Sequence, residues 1–425
     1  MTETIFALSS GAPPAAIAVI RISGPQAGEA LKGLAGKLPE PNRASLRTLR
    51  DADDVALDRA LVLWFPGPAS STGEDIAELH LHGGRAVVMA VEGALAKMPG
   101  LRRATPGEFT RRAFANGRID LAEAEGLGDL LSAETELQRR SAMVLAGGAF
   151  SRQVETWREQ LLGLSALVEA ALDFSDEDDV AAVPEDFSRR TGVFYRELAA
   201  WLSRPRAEVL KEGFRVVLGG PPNAGKSTLF NALIESDAAI ISPIAGTTRD
   251  VLTRTVALGG IPFQFFDTAG LHERTSDEIE AIGMQRAVAT LAEADLVLWL
   301  GTEGEGPADA WEIDARCDIA DLPRKANPRH GVSALTGEGI DALRADLIAT
   351  ASTMMPRPGE AALNERQARL LADAAEALKA AGTQSDPLVA AEELRISRLA
   401  FDSLLGRTTT EDMLDALFGR FCIGK

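Results

Sequence analysis

Residues 216–233 read VVLGGPPNAGKSTLFNAL: an apolar run, a glycine-rich loop and the start of a helical pattern. Gly220, Gly225, Lys226 and Ser227 fill every fixed position of G-x-x-x-x-G-K-[ST]. No other stretch restricts the fold as much. The loop can cradle phosphates only if glycines turn backbone N–H groups inward next to a helix N-terminus, so a strand must precede it and a helix follow. A nucleotide is therefore expected on Asn223, Ala224, Gly225, Lys226, Ser227 and Thr228. Lys226 would reach the β- and γ-phosphates as a catalytic cation, and the Ser227 hydroxyl would ligate magnesium.

Downstream, IAGTTRD supplies Thr247 and Thr248 in a glycine-containing loop. A threonine there, assigned as Thr248, can complete the magnesium shell while a γ-phosphate is present. Asp267 ends the apolar run IPFQFFD, as a Walker-B-like aspartate does, and Thr268, Ala269 and Gly270 follow. Gly270 can give its N–H to the γ-phosphate. In this order the motifs describe a switch GTPase. Leu271 stands where Ras-like proteins carry the glutamine that orients water, and it can neither donate nor accept a hydrogen bond. The base-reading pattern N-K-x-D departs too. In ARCD, Asp318 is kept, Arg316 replaces the lysine and Ala315 replaces the asparagine. Arg316 can lie over a base as a planar cation; Ala315 cannot supply the lost polar contacts. SALTGEG, with Ser333 and Ala334, fits the next guanine-contact loop. Guanine preference with weakened affinity or selectivity is expected, the plain alternative being that Asp318 is an ordinary loop aspartate. The segment before Asp318 leaves little room for the usual helix.

The chain's 425 residues allow about three domains. Its 46% hydrophobic and 25% charged residues suit soluble globular units with ample core. No apolar run approaches the ~18 residues of a membrane span, and MTETIFALSSGAPP lacks the pattern of a signal peptide. Cys317 and Cys422 are too few for a disulfide framework and fit a reducing cytoplasm. A net charge of −18 argues against indiscriminate nucleic-acid binding. Arg102, Arg103, Arg111 and Arg112 are expected to form a solvated arginine-rich surface.

Short apolar runs such as AAIAVIRI and ALVLWF predict strands in the first ~120 residues. Leu161, Leu164, Val168 and Leu172 then recur at helical spacing. The acidic run Asp173 to Asp179 reads as a solvated helix end or loop. Strands alternating with helices return from FRVVLGG, which predicts a mainly parallel sheet. A helical pattern resumes at NERQARLLADAAEALKAAG; Gly406 is a helix stop, and Thr408 to Glu411 a capping box. His80 and His82 alternate as in a strand and predict structural or substrate contacts before metal binding.

IAVIRISGP, WFPGPASSTGEDIAELHLHGG, RATPGEFTRRAFANGRIDLAEAEGLGDLL and the final FCIGK, taken with the nucleotide motifs, resemble the tRNA modification GTPases of the MnmE (TrmE) family, in the TrmE-Era-EngA-YihA-Septin-like superfamily. The resemblance implies a multidomain α/β plus α chain. Its parts would be an N-terminal α/β tetrahydrofolate-binding and dimerisation domain at 1–118 and a helical domain at 119–212 and 356–425. A Ras-like P-loop G domain at 213–355 would be inserted into the latter. It implies potassium held by Asn223, Ser242, Ile244 and Thr247, within a nucleotide-contacting loop that also takes in Pro243, Ala245, Gly246 and Thr248. Glu280 would help orient the water that Leu271 cannot. Arg21, Glu78, Arg118 and Lys425 match folate-contacting positions for a 5-formyl- or methylene-tetrahydrofolate, and Cys422 becomes a candidate nucleophile. The implied activity is potassium-stimulated GTP hydrolysis in the cytoplasm, by a homodimer working with the flavoprotein MnmG on the wobble uridine (position 34) of tRNA. Two alternatives stay open: a non-catalytic nucleotide-sensing module and a ribosome-assembly GTPase.

Overall fold

Alternation of apolar and polar residues builds the first sheet. In the computed structural model, which describes residues 3–173, 186–235, 253–267, 294–319 and 322–425, six strands lie in the N-terminal region. They are β1 (Thr4–Leu8), β2 (Ile17–Ser23), β3 (Ser45–Arg50), β4 (Ala56–Phe65), β5 (Ile76–His82) and β6 (Leu101–Arg103). Their order is β3-β4-β5-β2-β1-β6, antiparallel except for the parallel β1–β6 pair. Ala18, Ile20 and Ile22 of β2 and Leu79 and Leu81 of β5 point into a core closed by Leu31, Leu34, Val91 and Leu95 of helices Ala27–Ala35 and Arg85–Ala96. With a period of two, Arg21, Glu78 and His80 must face the other way.

That opposite face meets helix Glu108–Ala115, whose Phe109 packs with Ile5, Ala7 and Ala104. The helix corrects the expectation of a solvated arginine surface at Arg112, while Arg103 stays exposed and Arg102 and Arg111 partly so. Arg112 is fully buried. It donates to the Glu3 carbonyl at 2.9 Å, to Glu74 Oε2 at 2.9 Å and to Glu108 Oε1 at 3.1 Å. Arg102 forks onto Glu108 at 2.6 and 2.8 Å and also holds Glu3, while Arg111 pairs with Glu411 and Asp415 and Arg103 with Glu92. All four arginines pair with carboxylates of the same compact unit.

Burial alone would raise the Glu108 carboxyl, but hydrogen bonds from Arg102, the Thr105 backbone and Arg112 outweigh it and bring it down to about 2. Because the folded value lies below the ordinary one, this contribution is complete above pH ~4.5 and is lost as pH falls toward 2. It amounts to at most about 3 kcal/mol. Urea unfolding of wild type and Glu108→Gln between pH 3 and 7 should show the difference between the two shrinking as pH falls. A constant difference would discount the ion cluster.

The second sheet comprises β7 (Phe214–Gly219), β8 (Thr253–Leu258), β9 (Ile261–Asp267), β10 (Leu296–Trp299), β11 (Trp311–Ala315) and β12 (His330–Val332). Its order is β12-β11-β10-β7-β9-β8, parallel apart from the β8–β9 hairpin. Helix Lys226–Glu235 follows the glycine-rich loop and Ile340–Met354 follows β12. Both pack on the sheet through a core that includes Phe214, Leu218, Leu233, Phe263, Leu298, Leu343 and Leu347. Residues 300–310 contain turns and no helix, as the short spacing required.

In helix Ala149–Asp173, Leu161, Leu164 and Val168 are buried. Glu365–Ala381 begins with a capping box between Asn364 and Gln367 that the sequence reading passed over. The expected box at Thr408 is corrected. Thr410 stands at the N-cap position of helix Glu411–Phe418 and makes no side-chain capping bond, while Thr408 meets Ser403 (2.7 Å) and Thr409 donates to the Gly406 carbonyl (2.9 Å). Gly406, at φ +81°, does follow the end of helix Pro387–Leu404. Among the described residues no helix is long and apolar enough to cross a membrane. The chain forms two compact units, one of residues 1–128, 151–156 and 401–425, the other of 129–150 and 157–400.

Candidate nucleotide and N-terminal sites

The glycine-rich loop leaves the carboxyl end of β7, at the point where neighbouring strands continue to opposite sides, β9 one way and β10 the other. Open parallel sheets bind ligands at such a switch point. Gly220 has φ +139°, Asn223 +62° and Gly225 +96°. A side chain on Gly220 would bring its Cβ to 2.9 Å from the Gly301 N atom, so the close approach of two backbones requires glycine there. Lys226 is 4% exposed. Its Nζ donates to the Gly220 and Pro221 carbonyls at 2.8 Å each, which turns the charge back into the loop. Ala224 is buried beneath the loop, and Ser227 and Thr228 open the helix behind it.

The other nucleotide motifs also end parallel strands. Asp267 is the last residue of β9. Ala315 ends β11 and leads into the Arg316–Asp318 turn, while Ser333 and Ala334 follow β12. Ser333 is fully buried and its Oγ accepts from the Thr336 N–H at 3.1 Å. Arg316, at φ +61°, runs its stem beside Gly225: a Cβ on that glycine would lie 3.9 Å from Arg316 Cγ and from Ala315 Cβ. Loop and base turn are thus adjacent, and Asp318 is exposed. Ser242, Pro243, Ile244, Ala245, Gly246, Thr247, Thr248, Thr268, Ala269, Gly270, Leu271 and Glu280 lie outside the described residues. So does the acidic run beyond Asp173.

In the first unit, strand register sets the chemistry. Arg21 of β2 stands directly opposite Glu78 of β5, and the guanidinium contacts the carboxylate at 2.8 and 2.9 Å. His80 Nε2 lies 3.3 Å from the other Glu78 oxygen, and His82 pairs with Asp58 at 2.7 Å. Both histidines have carboxylate partners. Among the described residues no three His, Cys, Asp or Glu side chains gather as a metal-binding group.

Phe109, which the sequence reading missed, joins this face to the distant tail. Arg21 lies 5.8 Å over its ring. The Phe109 N–H donates to the Lys425 carbonyl at 3.2 Å, and the Gly107 N–H to that of Cys422 at 3.5 Å. Gly424, at φ +95°, seats the tail. A Cβ there would lie 2.1 Å from the Leu8 carbonyl oxygen. Arg21, Glu78, Cys422 and Lys425 are thereby linked through one helix start. Arg118 packs its stem beside Gly73, in the loop that leads into β5. Cys422 is exposed.

A phosphate-cradling loop on the central strand, with a base turn and a buried serine loop after the next parallel strands, defines a P-loop protein of the G-domain class. The chain belongs to the MnmE family of tRNA modification GTPases. A family model described as the MnmE helical domain matches residues 121–422, and one described as the GTP-binding protein TrmE N-terminus matches 4–118. The chain is 62% identical over 437 residues to the tRNA modification GTPase MnmE of Novosphingobium aromaticivorans, with both chains covered in full. It is 63% identical over 423 residues to that of Erythrobacter litoralis, again over the whole of each. With the Rhizorhabdus wittichii protein of the same name identity is 57%, over 100% of this chain and 97% of that one.

Proposed function

We propose that the protein hydrolyses GTP at the P-loop and couples opening and closing of its G domain to modification of tRNA. The observation that carries this is the Lys226 ammonium, almost wholly buried and held by two carbonyls of the glycine-rich loop at the end of β7. Family membership supports the substrate class. In this reading Lys226 offsets phosphate charge, Gly270 donates its N–H and Glu280 orients the water in place of Leu271. Ser227 and Thr248 would hold magnesium. Asn223, with a neutral amide oxygen of the kind hard cations accept, would hold potassium with Ser242, Ile244 and Thr247. That ion's fixed charge would offset charge building at the β–γ bridge, a role worth ~10³–10⁵ in rate when an arginine fills it, or roughly 4–7 kcal/mol.

The Arg21–Glu78 face, with Arg118 and Lys425, would take a reduced folate. It offers the paired charge and hydrogen-bonding groups that such a polar, carboxylate-bearing molecule needs. A 5-formyl- or methylene-tetrahydrofolate bound there supplies a one-carbon unit, and Cys422 is the candidate nucleophile nearby. The product would be an aminomethyl or carboxymethylaminomethyl group on carbon 5 of the wobble uridine. The work would be done in the cytoplasm by a homodimer with the flavoprotein MnmG. The domain division 1–118, 119–212, 213–355 and 356–425 belongs to the same proposal.

GTP turnover in potassium and in sodium at matched ionic strength tests the reading. Wild type should be stimulated roughly tenfold or more by potassium, and Asn223→Ala should lose that stimulation. Equally slow turnover in both salts would overturn the potassium mechanism and favour a nucleotide sensor.

A further inference from the structure

Ala315 has no polar side-chain atom with which to fix the base turn, yet the turn is held from several sides. The Cys317 N–H donates to the Val332 carbonyl and the Ile319 N–H to the Arg316 carbonyl, both at 3.1 Å. Arg324 closes the remaining side. Its Nη1 donates to Asp314 Oδ2 at 3.1 Å and its Nη2 to the Cys317 carbonyl. One planar fork therefore spans the end of β11 and the middle of the turn, immediately before Asp318. A lysine, a single point charge, cannot bridge both acceptors in this way.

Arg324 is also pre-positioned. The neighbouring Lys325 is largely buried and donates to the Trp299 carbonyl at 2.7 Å and to Glu312 Oε2 at 2.5 Å. The Ala326 and Asn327 N–H groups donate to Glu303 at 2.5 and 3.0 Å. The backbone on the C-terminal side of Arg324 is anchored, so little freedom remains to be lost when the fork closes. An isolated ion pair as exposed as this one, with Arg324 at 45%, contributes little to stability. Its effect belongs to the position of the turn.

We propose that Arg324 is a positioning residue for base selection, doing through the backbone what the missing asparagine side chain does in the N-K-x-D pattern. It keeps the 314–318 turn in the conformation that presents the Asp318 carboxylate to the N1 and N2 groups of guanine. The proposal rests on the reading of Asp318 as the base-contacting residue.

Affinities for GDP and IDP, which lacks the 2-amino group, can be measured by displacement of a fluorescent nucleotide from the full-length protein. Wild type should prefer GDP, and Asp318→Ala should bring the two affinities close together. Arg324→Ala should weaken GDP binding by about tenfold and IDP binding by less, with the melting temperature nearly unchanged. Asp314→Asn, which leaves Arg324 in place, should shift the ratio in the same direction by a smaller factor. Arg324→Lys should recover only part of it. Loss of discrimination in Asp318→Ala with a wild-type ratio in Arg324→Ala and Asp314→Asn would sink the clamp and leave the base reading standing. A wild-type ratio in Asp318→Ala would sink both. Equal weakening of GDP and IDP in Arg324→Ala would overturn the clamp, since it would mark general damage to the loop.

Discussion

Lys226→Ala should lower kcat/KM for GTP hydrolysis by about 10³-fold, the scale seen when a pre-organised group facing transition-state charge is removed. Two losses combine. The charge that would meet the β- and γ-phosphates disappears, and the Gly220 and Pro221 carbonyls lose the donor 2.8 Å from each. A buried position makes both matter more, because water cannot replace the ammonium readily. Lys226→Met separates the effects of charge and bulk, since it keeps the stem and should be nearly as slow. The checks are steady-state turnover and binding of a fluorescent GTP analogue, with thermal unfolding to confirm a folded G domain. A Met variant within tenfold of wild type would remove Lys226 from the chemistry.

Arg112→Ala should destabilise the N-terminal unit by about 3–5 kcal/mol, the usual cost of removing one partner from a buried ion cluster. Arg102 compensates Glu108 alone and leaves Glu74 without a cation among the described residues. Glu74 and Glu108 would remain at side-chain exposures of 14% and 8%; Glu108 would keep Arg102, but Glu74 would be left with the neutral Ser23 hydroxyl at 2.9 Å. Arg112→Lys should recover a minor part, because one ammonium cannot reach the Glu3 carbonyl, Glu74 and Glu108 together. Replacing Arg112 with Met while changing Glu74 to Gln should cost less than Arg112→Ala alone, since Glu108 stays paired with Arg102 and no carboxylate is left without a cation. Urea titrations of the set decide the matter. A loss below about 1 kcal/mol for Arg112→Ala would mean that water reaches the cluster.

These residues also show where sequence was informative. The strand before Gly220, the loop and the helix after it are local in sequence, and their pattern was legible. So were β2, β4 and β9, whose apolar runs announce themselves. Arg112 was misread because its partners lie elsewhere: Glu74 is 38 residues away and the Glu3 carbonyl 109. The one local clue was Glu108 at i−4 on the same helix face. Phe109 gave no signal, since its role depends on a tail that arrives at the other end of the chain. Three consecutive threonines each look able to cap a helix, yet Thr408 and Thr409 bond Ser403 and Gly406 instead and Thr410, at the N-cap position, makes no capping bond. In ARCD the missing asparagine was visible. That an arginine ten residues beyond Asp314 closes the turn depends on how the chain crosses back, which no motif encodes.

The first unit draws on residues 1–128, 151–156 and 401–425, so it cannot be finished in the order in which it is made. Leu121 and Ala124 are synthesised early, but Leu414, Phe418 and Phe421, which cover them, come last. At ordinary elongation rates the gap between residues 128 and 401 lasts roughly 15–55 s. Throughout that interval the nascent chain carries an uncapped apolar patch on an otherwise formed sheet domain. Synthesis of residues 401–425, rather than emergence of the N-terminus, is therefore the event on which closure of the first unit waits.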